Sequence, residues 1–600
     1  MDEVAAHADL LRRAQAWHDD DPDPRTRAEL DDLVGRAHSG EQAALDDLAA
    51  RFAGTLEFGT AGLRGAVGAG SARMNRAVVI RAAAGLCAHL RATVQGEPRI
   101  VVGFDARHES DVYARDTCAV AVGAGCVAMV LPRPLPTPVL AFAVRHLGAD
   151  AGVMVTASHN PPQDNGYKVY LGGRSATGPG DGVGVQIVPP ADAEIAAAIA
   201  AAGPVLQVPL ADDGWDTLDD GVLAEYVARA VDVVEPGGPR RLATVLTPMH
   251  GVGGDTVVRA MIAAGFDEPW VVPQQAEPDP DFPTVAFPNP EEPGALDLAL
   301  AAARERGADL VIANDPDADR CAVAIPDPAT PGGWRPLRGD ELGWLLAEHL
   351  LARGVPPTTD GHPTTVACSI VSSQLLARIA AAHGVRHVET LTGFKWIART
   401  PGLVFGYEEA LGYCVAPRLV RDKDGVTAAL LALELAAALA ASGRTMADAL
   451  DDLARTHGVH ATDQLSIRVE DLSIITAAMA RLRAAPPREL GGAAVTVVDD
   501  LLHPVAGLPP TDGLRLRTAD GVRVVVRPSG TEPKLKCYLE AVVPTPDGAP
   551  AGGPAAGDRL DLDAARALAG RRLAAVRADL AHLLGDQPDQ IEAPPVTAAG

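Results

Sequence analysis

The first 50 residues of the chain carry apolar side chains at a spacing of three and four residues, as in the segments DLLRRAQAW and AALDDLAARF. This spacing brings the apolar side chains to one face of a helix, so it predicts helices. The acidic run from Asp19 to Asp21, followed by Pro22, predicts a solvent-exposed break between two of them. The chain is therefore expected to begin with a helical extension.

From about residue 99 the pattern changes to short apolar runs that alternate with amphipathic helices. The runs are RIVVGF, VAMVL, AGVMV, ATVLT, DLVIA and TTVACSI. Continuous apolar runs between helices are typical of parallel strands that are covered on both faces. The sequence thus predicts an α/β fold, with three α/β units and a mixed α+β domain at the C-terminal end.

Breaks in composition near residues 211–222, 338–345 and 456–465 divide the chain into four expected domains. Their expected bounds are 1–220 (which includes the helical extension), 221–340, 341–460 and 461–600.

Three further segments have a distinct composition. Residues 171–190 are rich in Gly, Ser and Pro, which predicts a hairpin or loop excursion inside the first domain. Residues 544–558 are of low complexity and predict a disordered insertion in the last domain. An amphipathic helix is expected over about 562–584, before an unstructured tail.

The charge of the chain excludes one class of partner. It has 52 Lys and Arg residues against 78 Asp and Glu residues, a formal net charge of −26. A protein that follows nucleic-acid phosphates needs a basic stripe, so nucleic acid is not an expected partner. A small anionic ligand is not excluded, because it responds only to the charges of its own pocket.

The sequence predicts neither a secretory signal peptide nor a membrane-spanning helix. The chain opens MDEVAAHADLLRR, with acidic residues where a signal peptide needs positive charge. The longest apolar stretch, Ala428 to Ala441, contains Glu434 and is too short to cross a bilayer. The seven cysteines include no C-x-x-C pair. We therefore expect a cytoplasmic protein without a membrane partner.

Lysine is rare in this chain, and its positions indicate chemistry. Only five of the 52 basic residues are lysine, and each lies beside a glycine-rich or acidic motif. A lysine ammonium is a movable point charge that the planar arginine fork does not imitate. The five are Lys168, Lys395, Lys423, Lys534 and Lys536.

The segment NDPDADR, residues 314–320, lies between two apolar runs. Three carboxylates at alternate positions of such a turn, those of Asp315, Asp317 and Asp319, can converge on one hard cation. The acidic segments 19–24 and 277–282 are not enclosed by buried strands, and we expect them to be solvent-exposed turns. The sequence predicts a magnesium-type site at 314–320, with a simple surface turn as the alternative.

The segment TASHNPP, residues 156–162, directly follows the apolar run AGVMV. A serine at the carboxyl end of a buried parallel strand stands where α/β proteins bind ligands. Ser158 could instead cap a helix, but Pro161, Pro162 and the following QDNGYK predict a turn. His159 could be only a hydrogen-bonding partner. A serine hydrolase is not indicated, because the segment has no G-x-S-x-G elbow.

A third motif, RPSGTEP at residues 527–533, combines hydroxyls, a guanidinium and a glycine in a pattern that suits a phosphate group. An ordinary capped turn is the alternative. Beyond it, Lys534, Lys536 and Tyr538 alternate with apolar residues, so both lysines are expected on one face of a strand.

Four weaker segments complete the set of motifs. GYEEALG at 406–412 offers carboxylates that could accept hydrogen bonds from sugar hydroxyls, and TGFKW at 392–396 places Lys395 in a turn. Either could be structural. GTAGLRG at 59–65 and HGVGG at 250–254 fit neither a Walker loop nor a dinucleotide-binding loop. A nucleotide cofactor is therefore not expected.

Taken together and in this order, GTAGLRG, TASHNPPQDNGYK, NDPDADR, TGFKWI, GYEEALGY and RPSGTEPK resemble the α-D-phosphohexomutase superfamily, the phosphoglucomutases and phosphomannomutases. The matching segments span residues 59–536. GYEEA and TGFKW are similar to the branch with phosphoglucomutase-2-like and phosphopentomutase members. The resemblance implies four domains in a heart shape around a central cleft, which carry in order the phosphoserine, the metal, the sugar-binding residues and the phosphate-binding residues.

The resemblance also implies roles for individual residues. Ser158 would be the phosphorylated serine and a ligand of Mg²⁺ together with Asp315, Asp317 and Asp319, so its hydroxyl should lie near those aspartates. The other catalytic residues would be Arg64, Lys168 (a candidate for proton transfer) and Arg320, which would lie beside the metal loop. The substrate-binding residues would be His159, Lys395, Glu408, Arg527, Ser529, Gly530 and Thr531.

The predicted activity is that of a phosphosugar mutase. Such an enzyme needs a covalent phosphate store, a metal that neutralises charge and a remote anion site that accepts either end of a sugar bisphosphate. We expect transfer between positions 1 and 6 of glucose or mannose, with a sugar 1,6-bisphosphate as activator and a monomeric or homodimeric enzyme. The alternatives are a phosphopentomutase, a serine-dependent sugar phosphatase and a non-catalytic sugar-phosphate sensor. Ala410, where many relatives have serine, leaves the sugar preference open.

Overall fold

The computed structural model describes residues 2–59, 62–176, 182–354, 358, 361–469, 472–503, 508–529, 534–545 and 561–585. Two compact units make up the chain. The first unit consists of Met1–Pro236, Ala243–Cys321 and Cys414–Leu430, and the second of Gly237–Leu242, Ala322–Tyr413 and Leu431–Gly600.

The helices follow the apolar periodicity of the sequence. In chain order they are α1 (Asp2–Asp20), α2 (Pro24–His38), α3 (Gln42–Arg51), α4 (Arg76–Thr93), α5 (Ser110–Gly123), α6 (Thr137–His146), α7 (Ala191–Ala200), α8 (Gly221–Ala230), α9 (Gly253–Ala263), α10 (Asp297–Arg306), α11 (Gly339–Ala352), α12 (Leu375–Ala382), α13 (Phe394–Ile397), α14 (Gly425–Ala441), α15 (Met446–His457), α16 (Leu472–Ala484) and α17 (Leu562–Leu584).

The strands include all six apolar runs that the sequence analysis singled out. In chain order they are β1 (Leu63–Ala66), β2 (Arg99–Phe104), β3 (Val127–Val130), β4 (Ala151–Val155), β5 (Asp164–Leu171), β6 (Val185–Gln186), β7 (Asp216–Thr217), β8 (Thr244–Thr247), β9 (Trp270–Val271), β10 (Leu310–Ala313), β11 (Ala322–Pro326), β12 (Trp334–Pro336), β13 (Thr365–Ser369), β14 (Arg386–Thr390), β15 (Leu403–Glu408), β16 (Gly412–Cys414), β17 (Val459–Arg468), β18 (Glu489–Leu490), β19 (Ala493–Asp500), β20 (Leu514–Thr518), β21 (Val522–Pro528) and β22 (Lys534–Val543).

The helical extension of the first unit confirms the prediction for the first 50 residues, but the break between α1 and α2 is not solvent-exposed. Asp21 and Asp23 are both buried. The Asp23 carboxylate caps α2 by accepting a hydrogen bond from the Arg25 amide, and Asp21 accepts one from the Thr26 hydroxyl at 2.7 Å. Asp23 thus satisfies an amide that the helix leaves free at its start, and Asp21 holds the capping residue by accepting a hydrogen bond from the Asp23 amide at 2.9 Å. These contacts explain why both carboxylates are held inside.

The first unit contains a mixed sheet with the strand order β1-β5-β4-β2-β3-β7, and β6 pairs with β5. Its central strands β4, β2 and β3 are parallel, while β5 runs antiparallel to β4 and to β1. The antiparallel pairing of β5 with β6 confirms the predicted excursion within 171–190, of which residues 177–181 lie outside the described part. The segment with Ser158 therefore leaves a central parallel strand at its carboxyl end.

Strands β8, β9 and β10 of the first unit are also parallel, with β8 in the centre. All four residues of β10 are buried, as are those of β8. This agrees with the continuous apolar runs from which parallel strands were predicted. The acidic segment begins directly after β10, so it too lies at the carboxyl end of a buried parallel strand.

The second unit has two different sheets. Strands β14, β13 and β15 are parallel neighbours, with β16 beside β15. The other sheet has the strand order β17-β22-β21-β20-β19-β18. Each strand in it is antiparallel to its neighbours. Parallel and mixed α/β sheets, followed by an antiparallel sheet with helices, confirm the predicted fold class.

The last helix, α17, covers the predicted residues 562–584 and packs against the antiparallel sheet. Its buried residues Leu573, Val576 and Leu580 belong to the same apolar core as Leu539 of β22. Of the predicted insertion at 544–558, residues 546–558 lie outside the described part of the chain, and so does the tail beyond residue 585.

Within the described residues no single helix has the length and apolar composition of a membrane span. Helices α14 and α15 reach these values only as a pair, and they are bent by 91° where they meet.

A buried carboxylate of the second unit makes the stability of the protein depend on pH. Asp340, near the start of α11, accepts hydrogen bonds on Oδ1 from the Ser373 amide at 2.8 Å and the Tyr407 hydroxyl at 2.7 Å. Burial raises the pKa of Asp340 from its ordinary 3.8 to about 7. The folded protein therefore binds this proton more tightly than the unfolded chain, and the stabilisation is lost as the pH rises from about 4 to 7.

The substitution Asp340→Asn should remove this dependence, because an amide is neutral throughout and its oxygen can accept the same two hydrogen bonds. The unsubstituted protein should lose roughly 2 to 4 kcal/mol of its free energy of unfolding between acidic and neutral pH because of this group. The variant should not show this loss. The measurement is the difference in thermal midpoint between the two proteins at pH 5 and pH 8. A difference that is the same at both pH values would contradict the assignment to Asp340.

Candidate active site

The segment from Thr156 to Asp164, the serine loop, connects β4 to β5. It is a turn and not a helix, because the Asn160 amide donates to the Ala157 carbonyl and β5 begins at Asp164. The helix-cap interpretation of Ser158 is therefore wrong, and the predicted turn is confirmed. The Ser158 amide donates to the Thr156 hydroxyl at 2.8 Å, and the backbone of Ser158 has a φ of 51°. This left-handed conformation is costly for a residue with a Cβ atom, and strained residues of this kind are enriched at functional sites.

The segment from Asn314 to Arg320, the acidic loop, holds three carboxylates that are completely buried, those of Asp315, Asp317 and Asp319. One carboxylate oxygen of each lies within 4.8 Å of the others. In the described part of the chain, the Oδ1 atoms of Asp317 and Asp319 are buried without a hydrogen-bond partner. Oxygen atoms of this kind, close together and unsatisfied, are the ligands that a hard divalent cation binds. The residues therefore fit a metal ion, and the surface-turn alternative is wrong.

Two glycines let neighbouring segments approach the acidic loop closely. A Cβ atom on Gly251 would lie 2.4 Å from the Cα atom of Pro316, and one on Gly425 would lie 2.2 Å from the Arg320 carbonyl oxygen. The Val252 amide then donates to the Pro316 carbonyl at 2.8 Å. The HGVGG segment, which fits no nucleotide-binding pattern, thus serves to hold the acidic loop.

The serine loop and the acidic loop meet, as the sequence analysis expected. The Ser158 hydroxyl donates to Oδ2 of Asp315 at 2.7 Å, and the Nδ1 atom of His159 lies 3.2 Å from the same hydroxyl oxygen. Ser158 is only 2% exposed. The Ser158 hydroxyl therefore lies directly beside the carboxylates that fit a metal ion.

Two lysines balance the charge of the acidic loop. The Lys168 ammonium lies 2.7 Å from Oδ2 of Asp317 and 3.1 Å from Oδ2 of Asp319, and the Lys423 ammonium lies 3.0 Å from the latter atom. Sequence reasoning placed Lys168 here but gave Lys423 no role. Its rarity and the flanking aspartates of RDKDG were the available signal.

The same contacts shift the pKa values of Asp315 and Asp317 in opposite directions. Burial, with the charges of Asp317 and Asp319, raises the pKa of Asp315 to about 8. Burial acts in the same direction on Asp317, but the Lys168 ammonium outweighs it and holds the pKa of Asp317 below its ordinary value. Burial lowers the pKa of Lys168, and the two carboxylates more than reverse that shift. Asp317 is therefore charged and paired with a charged Lys168.

Two arginines lie near these loops. The Arg64 guanidinium, on β1, donates to the Asn160 side chain at 3.0 Å and is thereby held against the serine loop. Burial lowers the pKa of Arg64. The Arg320 side chain is buried, and its Nε atom lies 3.9 Å from Oδ2 of Asp315. Arg64 therefore lies against the serine loop, and Arg320 ends the acidic loop.

Thr137, at the start of α6, also contacts the acidic loop, and the sequence analysis missed it. Its hydroxyl donates to Oδ2 of Asp317 at 2.6 Å, and its amide donates to the Asp317 carbonyl at 2.9 Å. The segment LPTP could have indicated the start of a helix. It contained nothing that pointed to a residue 180 positions further along the chain.

In the second unit, the segment GYEEALG forms the end of β15 and the turn that follows. Glu408 is the last residue of β15 and is half-buried. Glu409 is engaged structurally, because Oε2 accepts hydrogen bonds from the hydroxyls of Ser369 and Ser372, each at 2.9 Å. The predicted turn at Lys395 is the single-turn helix α13, which begins after Gly393.

The motif RPSGTEP lies at the end of β21. The Arg527 residue is directly opposite Lys536 of β22, and the Ser529 amide donates to the Lys534 carbonyl at 2.8 Å. Two cations opposite each other repel unless an anion lies between them, so this pair favours an anionic ligand. Strand β22 confirms the alternation of Lys534 and Lys536. Gly530 and Thr531 lie outside the described residues.

Comparison with known proteins identifies the class to which this architecture belongs. Phosphoglucomutase/phosphomannomutase α/β/α domains I, II and III match residues 55–202, 223–329 and 338–457, and the C-terminal domain of the same family matches residues 465–547.

Similar proteins are found across bacteria and animals. A Haemophilus influenzae protein named "Probable phosphomannomutase" is 47% identical over 475 residues, which cover 78% of this chain and 93% of the relative. A Mus musculus protein named "Phosphopentomutase" is 34% identical over 588 residues, covering 90% and 91%. A Burkholderia thailandensis phosphoglucomutase/phosphomannomutase family protein of known structure has the same fold, with a TM-score of 0.62, 22% identity and coverage of 89% of this chain and 97% of that one.

These matches define an isomerase of the intramolecular phosphotransferase type. The chain belongs to the phosphoglucomutase/phosphomannomutase family, within the α-D-phosphohexomutase superfamily. This confirms the resemblance that the ordered motifs indicated. Enzymes of this class depend on a metal and act on small phosphosugars, which agrees with the buried carboxylates of the acidic loop.

Proposed function

We propose that the protein transfers a phosphoryl group between positions 1 and 6 of a hexose, glucose or mannose, through a phosphoserine at Ser158 and a sugar bisphosphate. The observation that carries this proposal is the 2.7 Å contact between the Ser158 hydroxyl and a carboxylate of the buried acidic loop. A serine that only caps a turn needs no such neighbour. A serine that stores a phosphoryl group needs a cation beside it, and this loop can supply the ligands.

Different residues of the first unit are assigned to different parts of the phosphoryl transfer. The phosphoserine ester P–Oγ bond breaks as a substrate hydroxyl forms a new P–O bond, and the hydroxyl proton must leave. We assign proton transfer to Lys168: as a neutral amine, after it has given up the proton that its contacts with Asp317 and Asp319 favour, it would accept the hydroxyl proton. Arg64 and Arg320 would stabilise the oxygens of the moving group. Asp315, Asp317 and Asp319, with Ser158, would hold Mg²⁺, which when bound neutralises charge on the phosphoryl oxygens.

The residues of the second unit are assigned to the rest of the substrate. Glu408 and Lys395 would bind the sugar, as would His159 of the first unit. Arg527, Ser529, Gly530 and Thr531 would bind the phosphate that does not react, and Lys536 lies opposite that arginine. The support for this assignment is the pair of facing cations at the end of the hairpin strands. A sugar 1,6-bisphosphate would act as activator by phosphorylating Ser158.

Transfer between positions 1 and 5 of a pentose is the second candidate. Two arguments favour it: the family resemblance places Ala410 where serine is expected, and a 34% identical relative that covers most of the chain is named "Phosphopentomutase". The loss of a hydroxyl in the sugar segment removes one possible hydrogen bond to a hexose.

The four domain bounds, the cytoplasmic location and the monomeric or homodimeric state stay predictions from the sequence.

Direct comparison of three substrates tests the proposal. The protein with Mg²⁺ and a trace of the matching sugar bisphosphate is incubated with glucose 1-phosphate, mannose 1-phosphate or ribose 1-phosphate, and the isomers are followed by ³¹P NMR. We expect conversion to the 6-phosphate with kcat/KM at least about tenfold higher for a hexose than for ribose, the value of one or two lost contacts. Faster conversion of ribose 1-phosphate would favour the pentose candidate. Release of inorganic phosphate without an isomer would contradict both.

A further inference from the structure

One buried arginine outside all the motifs holds the backbone of the serine loop. Arg107 follows strand β2, the parallel neighbour of β4, and its side chain is 1% exposed. Its Nη2 atom donates to the carbonyls of Ser158 at 2.6 Å and Asn160 at 2.5 Å. Its Nη1 atom donates to the carbonyls of Pro161 at 2.8 Å and Asp164 at 3.1 Å. One guanidinium thus binds four carbonyl groups within seven residues.

The surroundings of Arg107 fix the guanidinium in this position. The Arg107 amide donates to Oδ1 of Asp105, a buried carboxylate that also accepts a hydrogen bond from the Ser110 hydroxyl. The ring of Phe282 covers the guanidinium, with its centre 5.0 Å from Cζ, and is itself buried. Phe282 ends the acidic segment 277–282, which the sequence analysis expected to be a solvent-exposed turn. That expectation holds for Glu277 and Asp281 but is wrong for Phe282, because the ring packs on a buried cation.

The geometry points to Arg107 as the positioning residue of the nucleophile: it holds the serine loop in the conformation that directs the Ser158 hydroxyl at the acidic loop. Ser158 has the left-handed φ of 51°, so its backbone needs contacts that compensate for this conformation. Arg107 provides one by binding the Ser158 carbonyl, and it does not touch the hydroxyl. The planar fork is required, because a lysine ammonium is a point charge with three donors and cannot reach four carbonyls.

This inference rests on the proposed function, and it makes a statement about the fate of the phosphoryl group. A loosely held serine loop would present the phosphoserine less accurately to the sugar hydroxyl and admit water to it. Water then attacks the phosphorus, the P–Oγ bond breaks, Ser158 regains its proton and inorganic phosphate leaves. Arg107 would therefore govern the ratio of transfer to hydrolysis in addition to the rate.

The test compares Arg107→Lys with a control, Arg174→Lys, at an arginine that is half exposed. Arg174 lies in the same unit and also binds carbonyls, those of Gln95 at 2.5 Å and Glu97 at 2.9 Å, but it contacts no residue of the serine loop by any described hydrogen bond. We expect Arg107→Lys to lower kcat by about 100-fold with KM changed less than about threefold, since small displacements of a reacting group have effects of this size. The phosphate released per isomer formed should rise by about tenfold or more, while Arg174→Lys keeps both values.

A second variant keeps the test decisive if Arg107→Lys does not fold. Phe282→Leu leaves the guanidinium in place but uncovers it, and we expect the phosphoserine formed with glucose 1,6-bisphosphate to lose its phosphate several-fold faster, as measured by intact mass over time. Unchanged kcat and phosphoserine lifetime in whichever of these variants folds would overturn the role of Arg107. So would equal losses in Arg174→Lys. If the unsubstituted protein forms no isomer and no phosphoserine, the proposed function itself fails.

Discussion

Ser158→Ala is expected to lower kcat for sugar-phosphate isomerisation by about 10⁴-fold or more, because the variant has no oxygen at this position to carry the phosphoryl group. Binding of the substrate should persist, since the alanine leaves the charges of both loops unchanged. The hydroxyl donates to Asp315 at 2.7 Å, and its loss exposes no new charge to water. Turnover is measured by ³¹P NMR, and binding of glucose 1-phosphate by calorimetry.

Ser175→Ala is the matched control for this experiment. Ser175 lies in the same unit and is equally buried, at 2% exposure, and its hydroxyl donates to the carbonyls of Asp150 and Gly172. We expect this variant to lose some stability, about 1 kcal/mol for the lost hydrogen bonds, and to keep its activity per folded molecule. Full activity in Ser158→Ala would refute the assigned role, and equal loss in both variants would show that the effect comes from folding.

The parts of the site that the sequence predicted correctly are those fixed by local physics. Ser158 follows a continuous apolar run, and the prolines after it prevent a helix, so a turn at the end of a parallel strand was the consistent solution. The acidic loop follows another apolar run and has carboxylates at alternate positions. The contact between the two loops came from the resemblance to a family, since 157 residues separate Ser158 from Asp315.

The residues that sequence reasoning missed are those whose role exists only in the folded chain. Thr137 begins a helix, Lys423 lies between two aspartates and Arg107 follows a strand, which are ordinary positions for such residues. Each contacts a loop that is distant in sequence. Asp21 and Asp23 illustrate the opposite error, because both lie in a charged run that looked exposed. Asp23 caps α2, and both carboxylates are buried inside the protein. A run of acidic residues predicts solvent exposure only where backbone amides do not require the carboxylates as hydrogen-bond acceptors.

Asp317→Asn is expected to lower kcat by about 100-fold or more and to raise the Mg²⁺ concentration for half-maximal activity by about tenfold or more. Asp317 is the carboxylate that Lys168 and Thr137 keep charged and oriented, with an Oδ1 atom that lacks a partner in the described structure. The amide has nearly the same shape but no charge, so it weakens metal binding and leaves Lys168 paired only with Asp319. Activity is measured across a magnesium titration, and binding of Mn²⁺ is measured by electron paramagnetic resonance.

The control for that variant is Asp116→Asn, because Asp116 is also a buried carboxylate of the first unit and pairs with Arg76 at 2.7 Å. Its substitution breaks a partly buried ion pair and touches neither the serine loop nor the acidic loop in any described contact. It should therefore lower the thermal midpoint and leave the magnesium requirement unchanged. A magnesium requirement that stays the same in Asp317→Asn would contradict the assignment of Asp317 as a metal ligand. Because the expected shift concerns metal concentration and not only rate, a general loss of folded protein cannot imitate it.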